Sequence, residues 1–110
     1  MIQGEIWNAD LSPVKGSEQA GFRPVVILSG NLLNQHLPVV ITVPLTTKVK
    51  RYKGNPVLQP TKENGLKAES EMLIFHMRSI SKDRLIKRLG KIESADLSLG
   101  MKTLNDILRY

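Results

Sequence analysis

No cysteine occurs among the 110 residues, which removes disulfides, thiolate zinc sites and a cysteine nucleophile together. A reducing compartment is compatible with that lack. Long hydrophobic runs are missing as well. The longest mostly apolar stretch, Leu37 to Leu45, is interrupted by Pro38, Thr42 and Pro44 and falls far short of the ~20 residues a membrane helix needs. At the N-terminus, Met1-Ile2-Gln3-Gly4-Glu5 has no basic stretch leading into an apolar segment, so no secretory signal is expected and the expected location is the cytoplasm. No cluster of His, Asp and Glu has metal-ligand spacing, which disfavours a metal-dependent nuclease and calls for no cofactor. Aromatics are few, with one Trp, two Tyr and two Phe. Trp7 is expected in the core.

What is abundant is positive charge. Sixteen Lys and Arg against ten Asp and Glu give a formal net charge of +6, an excess that favours polyanions such as nucleic acid or an acidic protein segment. Charge does not choose between them, and a basic surface also serves solubility alone. The length suits one domain, read here as residues 1–110, large enough to bury a core without staples.

The first half is rich in β-branched residues and punctuated by Gly and Pro. Gly4 to Ala9 reads as a first strand, stopped by the turn signal Asp10-Leu11-Ser12-Pro13. Val25 to Leu28 is a continuous apolar run too short for a helix and reads as a buried strand, with Pro24 tolerated near its start. Asn31 to Gln35 suits a helical turn, and Val39 to Val43 a third strand. Pro56 to Gln59 and Met72 to Met77 are further candidate strands, separated from the basic run Lys48 to Lys53 by the turn signal Gly54-Asn55. Ser81 to Leu85 predicts a helical turn capped by the Ser81 hydroxyl, and Ile86 to Ile92 a final strand bent at Gly90. From Ser94 onward Leu97, Met101, Leu104, Ile107 and Leu108 mark the buried face of a helix. Gly100 within it costs ~1 kcal/mol against Ala. The five short strands up to Met77, at close spacing, point to a small antiparallel barrel or sandwich.

Three places carry candidate chemistry. In Gly16-Ser17-Glu18-Gln19-Ala20-Gly21-Phe22-Arg23-Pro24, two glycines permit close backbone approach, the polar residues between them offer donors and acceptors, and Arg23 is pinned by Pro24. Such a loop suits phosphate binding, and equally a plain connector. In Pro44-Leu45-Thr46-Thr47-Lys48, a buried strand emerges beside hydroxyls and cations: Thr46 is able to donate to a phosphate oxygen while Lys48, Lys50 and Arg51 attract a nucleic-acid backbone. Thr is also at home in any strand. Tyr52 and Phe22 are candidate stacking platforms. Third, His76 and Arg78, two residues apart in the expected strand, would share one strand face and be able to bind or protonate phosphate oxygens. His36 reads as a solvated loop residue.

These segments are also connected by a pattern. Gly4-Glu5-Ile6-Trp7, Asp10-Leu11-Ser12-Pro13, the Gly16 to Pro24 segment and Val43-Pro44-Leu45-Thr46 resemble the MazF/Kid/PemK toxin family in order and spacing. Arg78 to Leu85, Gly90-Lys91-Ile92 and the terminal helix resemble its closing pattern, so the likeness spans essentially the whole chain. It implies a mainly β, SH3-like antiparallel barrel with short helices and a C-terminal helix. It also implies a homodimer that cleaves single-stranded RNA as the toxin of a bacterial toxin-antitoxin system, with a cognate acidic antitoxin as partner. Carried over by position, the resemblance makes Arg23 and Thr46 the catalytic residues. It makes Ser17, Glu18 and Gln19 the loop over the RNA, Ser70 and His76 fall at positions that resemble substrate contacts, and Arg78 matches a recurrent Arg of the strand end; with Lys48, read from its charge, these are the RNA-binding candidates. The chain departs from the family at Phe75-His76, where a Glu-Gln pair is usual in MazF-like members and an Asp in Kid-like ones. Any mechanism that needs a carboxylate there fails for this chain.

Metal-free RNA cleavage uses the neighbouring 2′-hydroxyl as nucleophile and leaves a 2′,3′-cyclic phosphate and a 5′-hydroxyl. Arg23 suits the phosphate, because its planar fork binds two oxygens and holds its charge. A proton acceptor is harder to find. Histidine is the side chain that ordinarily titrates near neutrality, which makes His76 a candidate for proton transfer. Two other readings remain open: a CcdB-like toxin that binds DNA gyrase, and an RNA-binding barrel with no chemistry.

Overall fold

The computed structural model describes residues 1–12 and 21–109. Seven strands, β1 (Glu5–Asp10), β2 (Phe22–Ile27), β3 (Val39–Thr46), β4 (Val57–Leu58), β5 (Ser70–Met72), β6 (Arg78–Ser81) and β7 (Leu85–Lys91), are joined by a short helix α1 (Asn31–His36) and closed by a long one, α2 (Ser94–Arg109). All pairings are antiparallel, and the sheet runs β4-β5-β3-β2-β1-β7, with β6 pairing on β3. The result is a curled half-barrel.

Sequence explains why β2 sits at the centre. Its apolar run alternates between two cores: Val26 and Leu28 join Ile6, Val43, Leu45, Met72 and Ile74 on one face, and Val25 and Ile27 join Ala9, Val40, Ile80 and Leu85 on the other. A strand buried on both faces needs unbroken hydrophobicity, which is what residues 25–28 supply. Trp7 packs half-buried at the margin of the second core and donates through Nε1 to Glu5.

β3 serves two partners along one edge. Its first half, Val39–Thr42, pairs with β6, and its last two residues, Leu45 and Thr46, pair with β5. Pro44 lies at the changeover, where its carbonyl accepts from Leu73 N at 3.0 Å. A proline is tolerated inside this strand because its missing N–H falls where the neighbouring ladder is interrupted anyway.

Here the expected strand Met72 to Met77 is corrected. The strand ends at Met72, Ile74–His76 form a 3₁₀ turn, and Arg78 opens β6, a strand the sequence reading did not separate. The two ladders on β3 differ in register by three residues, the length of that turn. The chain sheds those residues from the ladder to pass from one partnership to the other. Ile74 turns into the core while Phe75 and His76 face solvent. His76 and Arg78 therefore do not share a strand face.

Two helical expectations are also revised. The turn Lys82–Arg84 forms, but the Ser81 hydroxyl makes no capping bond. Instead Lys82 N donates to Pro38 O at 3.0 Å, and Arg84 Nη1 donates to the carbonyls of Asp10 and Ser12. In α2 the face against the core is Leu97, Gly100 and Leu104, whereas Met101, Ile107 and Leu108 are exposed. Gly100 is the buried residue of the helix. A Cβ there would stand 3.4 Å from Ile74 Cδ1 and 3.5 Å from Met72 Cε, so the helix backbone itself lies against the core at that point. Among the described residues no helix is long and apolar enough to cross a membrane.

Candidate RNA-binding site

Arg23 is the second residue of β2, exposed at the end of the strand where the chain arrives from residues 13–20. Thr46 is the last residue of β3. The β2–β3 register pairs Val25 with Pro44 and Val26 with Val43. Continued by two residues within both strands, it sets Arg23 directly across from Thr46, and directly opposed residues share a face. The Thr46 hydroxyl accepts from Lys48 N at 3.1 Å, which turns the chain and leaves the Lys48 side chain exposed beside it. A guanidinium, a hydroxyl and an ammonium thus gather at one sheet end.

Arg78 and His76 are exposed near the same side of β3: Arg78 pairs with Thr42, whose hydroxyl donates to the Arg78 carbonyl at 3.3 Å. The His76 ring stands edge-on to Phe75, with centroids 4.5 Å apart. Ser70 is placed differently from the expectation of a substrate-contacting hydroxyl. It is buried, and its hydroxyl donates to Ala68 O at 3.0 Å, so it shapes the loop before β5 without facing a ligand. Ser17, Glu18 and Gln19 lie outside the described residues.

The residue that sequence reading missed is Glu71, opposite Thr46 on β5 and fully buried. Its carboxylate accepts from three successive backbone amides, Lys50 at 2.8 Å, Arg51 at 2.9 Å and Tyr52 at 2.9 Å, and from Asn55 Nδ2 at 2.9 Å. Burial alone would raise the carboxyl's pKa; the bonds from Asn55 and the three amides outweigh it and hold the group below its ordinary value. Three consecutive N–H groups converge because Arg51 takes a left-handed conformation, φ 57°, the concave arrangement that ordinarily receives anions. In this protein the anion is its own glutamate. The basic run of the sequence is thereby fixed beside Thr46. One faint signal existed, an acidic residue directly before the apolar Met72-Leu73-Ile74, but its partners lie about twenty positions away.

A cavity of about 800 Å³ between β4, β7 and the start of α2 is lined by residues such as Gln3, Glu63 and Asp96 and contains none of the residues above. The exposed residues Arg23 and Lys48 lie outside that cavity. Among the described residues no three His, Asp or Glu side chains converge as a metal site requires.

Comparison with known proteins now defines the class. The family model for PemK-like, MazF-like toxins of type II toxin-antitoxin systems matches residues 2–108, and the chain belongs to that family. It is 34% identical over 114 residues to the Endoribonuclease MazF of Staphylococcus saprophyticus, covering 94% of this chain and 95% of that relative. A MazF structure from Deinococcus radiodurans matches with a TM-score of 0.81 at 23% identity, over 100% of this chain and 97% of that one. An endoribonuclease in complex with its cognate antitoxin, from a mycobacterial species, matches with a TM-score of 0.78 at 22% identity, over 98% and 94% of the two chains. The expected mainly β barrel with a C-terminal helix is the fold these structures share.

Proposed function

We propose that this toxin is an endoribonuclease that cuts single-stranded RNA without metal, inhibiting translation and growth, and that residues 1–110 act as one catalytic domain in a cytoplasmic homodimer. What supports the reading is the β2–β3 register, which continued past Val25 and Pro44 brings Arg23 and Thr46 to one end of the sheet, in a chain one-third identical to a protein named as an endoribonuclease. The +6 charge suits both RNA and an acidic antitoxin segment competing for the same surface.

The chemistry follows from what these side chains are able to do. The substrate's 2′-oxygen attacks phosphorus, the bond from phosphorus to the 5′-oxygen breaks, and a 2′,3′-cyclic phosphate and a 5′-hydroxyl remain. Because the nucleophile belongs to the RNA, no activated water is needed. Arg23 offers its fork to two non-bridging oxygens as charge builds there. Thr46 steadies one of them by a hydrogen bond. The proton from the 2′-hydroxyl must be taken up and one delivered to the 5′-oxygen. His76, exposed on its turn, shares that transfer.

The reading is tested by incubating purified protein with a long single-stranded RNA in EDTA and mapping the ends. Cuts at a recurring short sequence, bearing cyclic phosphate and 5′-hydroxyl ends, are expected. Absence of cutting overturns it, and binding to DNA gyrase instead would favour the CcdB-like alternative. For His76→Gln the expected result is an altered pH profile of the cleavage rate. A profile superimposable on the wild type removes His76 from the proton path.

A further inference from the structure

Two of the chain's few aromatic residues meet on the surface beside the cationic sheet end. The Tyr52 and Phe75 rings are 5.7 Å apart between centroids and at 86° to each other, and each residue is 52% exposed. Aromatic rings prefer this edge-to-face arrangement, yet the pair leaves broad apolar surface in water. Neither ring belongs to either core.

Both halves of the pair are held from behind. Tyr52 is fixed through its amide to Glu71 and through its carbonyl, which accepts from Asn55 N at 3.1 Å. Asn55 in turn bridges Glu71 to the turn bearing Phe75, because its Oδ1 accepts from Ile74 N at 3.3 Å. Phe75 is buttressed on another side by the His76 ring. Lys48, Lys50 and Lys53, on the same segment as Tyr52, are exposed, and Arg51 is steadied by Glu69 at 2.9 Å. Exposed apolar planes on a basic segment, a few residues from Thr46, match one ligand chemistry above others: an unpaired nucleobase with its flanking phosphates.

We propose that Tyr52 and Phe75 form a right-angled stacking subsite for a single unpaired base of the RNA strand, one ring serving as floor and the other as wall. The proposal rests on the endoribonuclease reading and deepens it, by assigning a base-binding role to the segment between β3 and β4. Stacking tolerates any base, and the Tyr52 hydroxyl and the His76 ring at the rim supply polar contacts that favour some bases over others.

The test uses a uniformly 2′-O-methyl RNA oligonucleotide, which lacks the nucleophile, carrying 2-aminopurine at one position at a time. Wild-type protein is expected to quench the fluorescence strongly at one position. Tyr52→Ala and Phe75→Ala, both surface changes, are expected to abolish that quenching and weaken binding about tenfold or more, whereas Tyr52→Phe keeps the quenching. Unchanged quenching and affinity in both alanine variants overturn the subsite. The two readings fail separately. Wild type that cuts RNA while the alanine variants bind and quench as well as it does loses the subsite and keeps the nuclease. Wild type that quenches at one position but never cuts does the reverse.

Discussion

Arg23→Ala is expected to reduce single-turnover cleavage by a hundredfold or more while leaving the fold intact. The size follows from the role: one preorganised charged donor aimed at a phosphoryl group in the transition state is worth about 10²- to 10³-fold. The preserved fold follows from position, because Arg23 is exposed at the end of β2 and lies outside both cores. Arg23→Lys restores the charge without the planar fork, and an intermediate rate is expected. Single-turnover rates on the mapped RNA, with thermal melts of each variant, decide the matter. An alanine variant that cuts at the wild-type rate would place the reacting phosphate elsewhere.

Glu71→Ala carries the largest expected effect on stability, a loss of about 3–5 kcal/mol, because it strands buried donors that were satisfied by one charge. A fall in Tm of about 10 °C or more would register it. Acidity supplies a second signature. Since Glu71 sits below its ordinary value of 4.5 when folded, its contribution is fully present above that value and is lost as pH falls through the lowered one. The stability gap between wild type and Glu71→Gln is therefore expected to be widest near neutrality and to narrow below pH 4.5. Glu5, also lowered despite its burial by bonds from Trp7, Arg88 and Ile2, is present in both proteins and cancels in the difference. A gap that stays constant from pH 7 to pH 3 would mean that the carboxylate's charge does not hold the basic segment.

How much of this was legible beforehand depended on range. β2 and β3 were readable because their β-branched runs are buried on both faces, a property of the local sequence alone. The helix from Ser94 was equally plain, but its orientation was not. Periodicity chose the face with the bulkiest residues, and the fold instead turned Leu97, Gly100 and Leu104 towards the core. The strand expected over Met72 to Met77 failed for a similar reason: Ile74-Phe75-His76 has strand composition, and only the need of β3 to change partners turns it outward. At the site, the pairing of Arg23 with Thr46 was suggested by motif order and family likeness. Glu71 was invisible because its meaning lies in amides that the sequence cannot mark as donors to it.

The three residues shed between β5 and β6 have a consequence for what this part of the surface tolerates. Phe75 and His76 stand on a stretch that neither ladder counts, so replacing them shifts no register and opens no cavity. The surface chemistry at this point is therefore uncoupled from folding. In this chain the two positions hold two rings, on a scaffold that keeps the shared barrel. The turn is a surface tip whose two outward residues can be exchanged without weakening the framework that carries it.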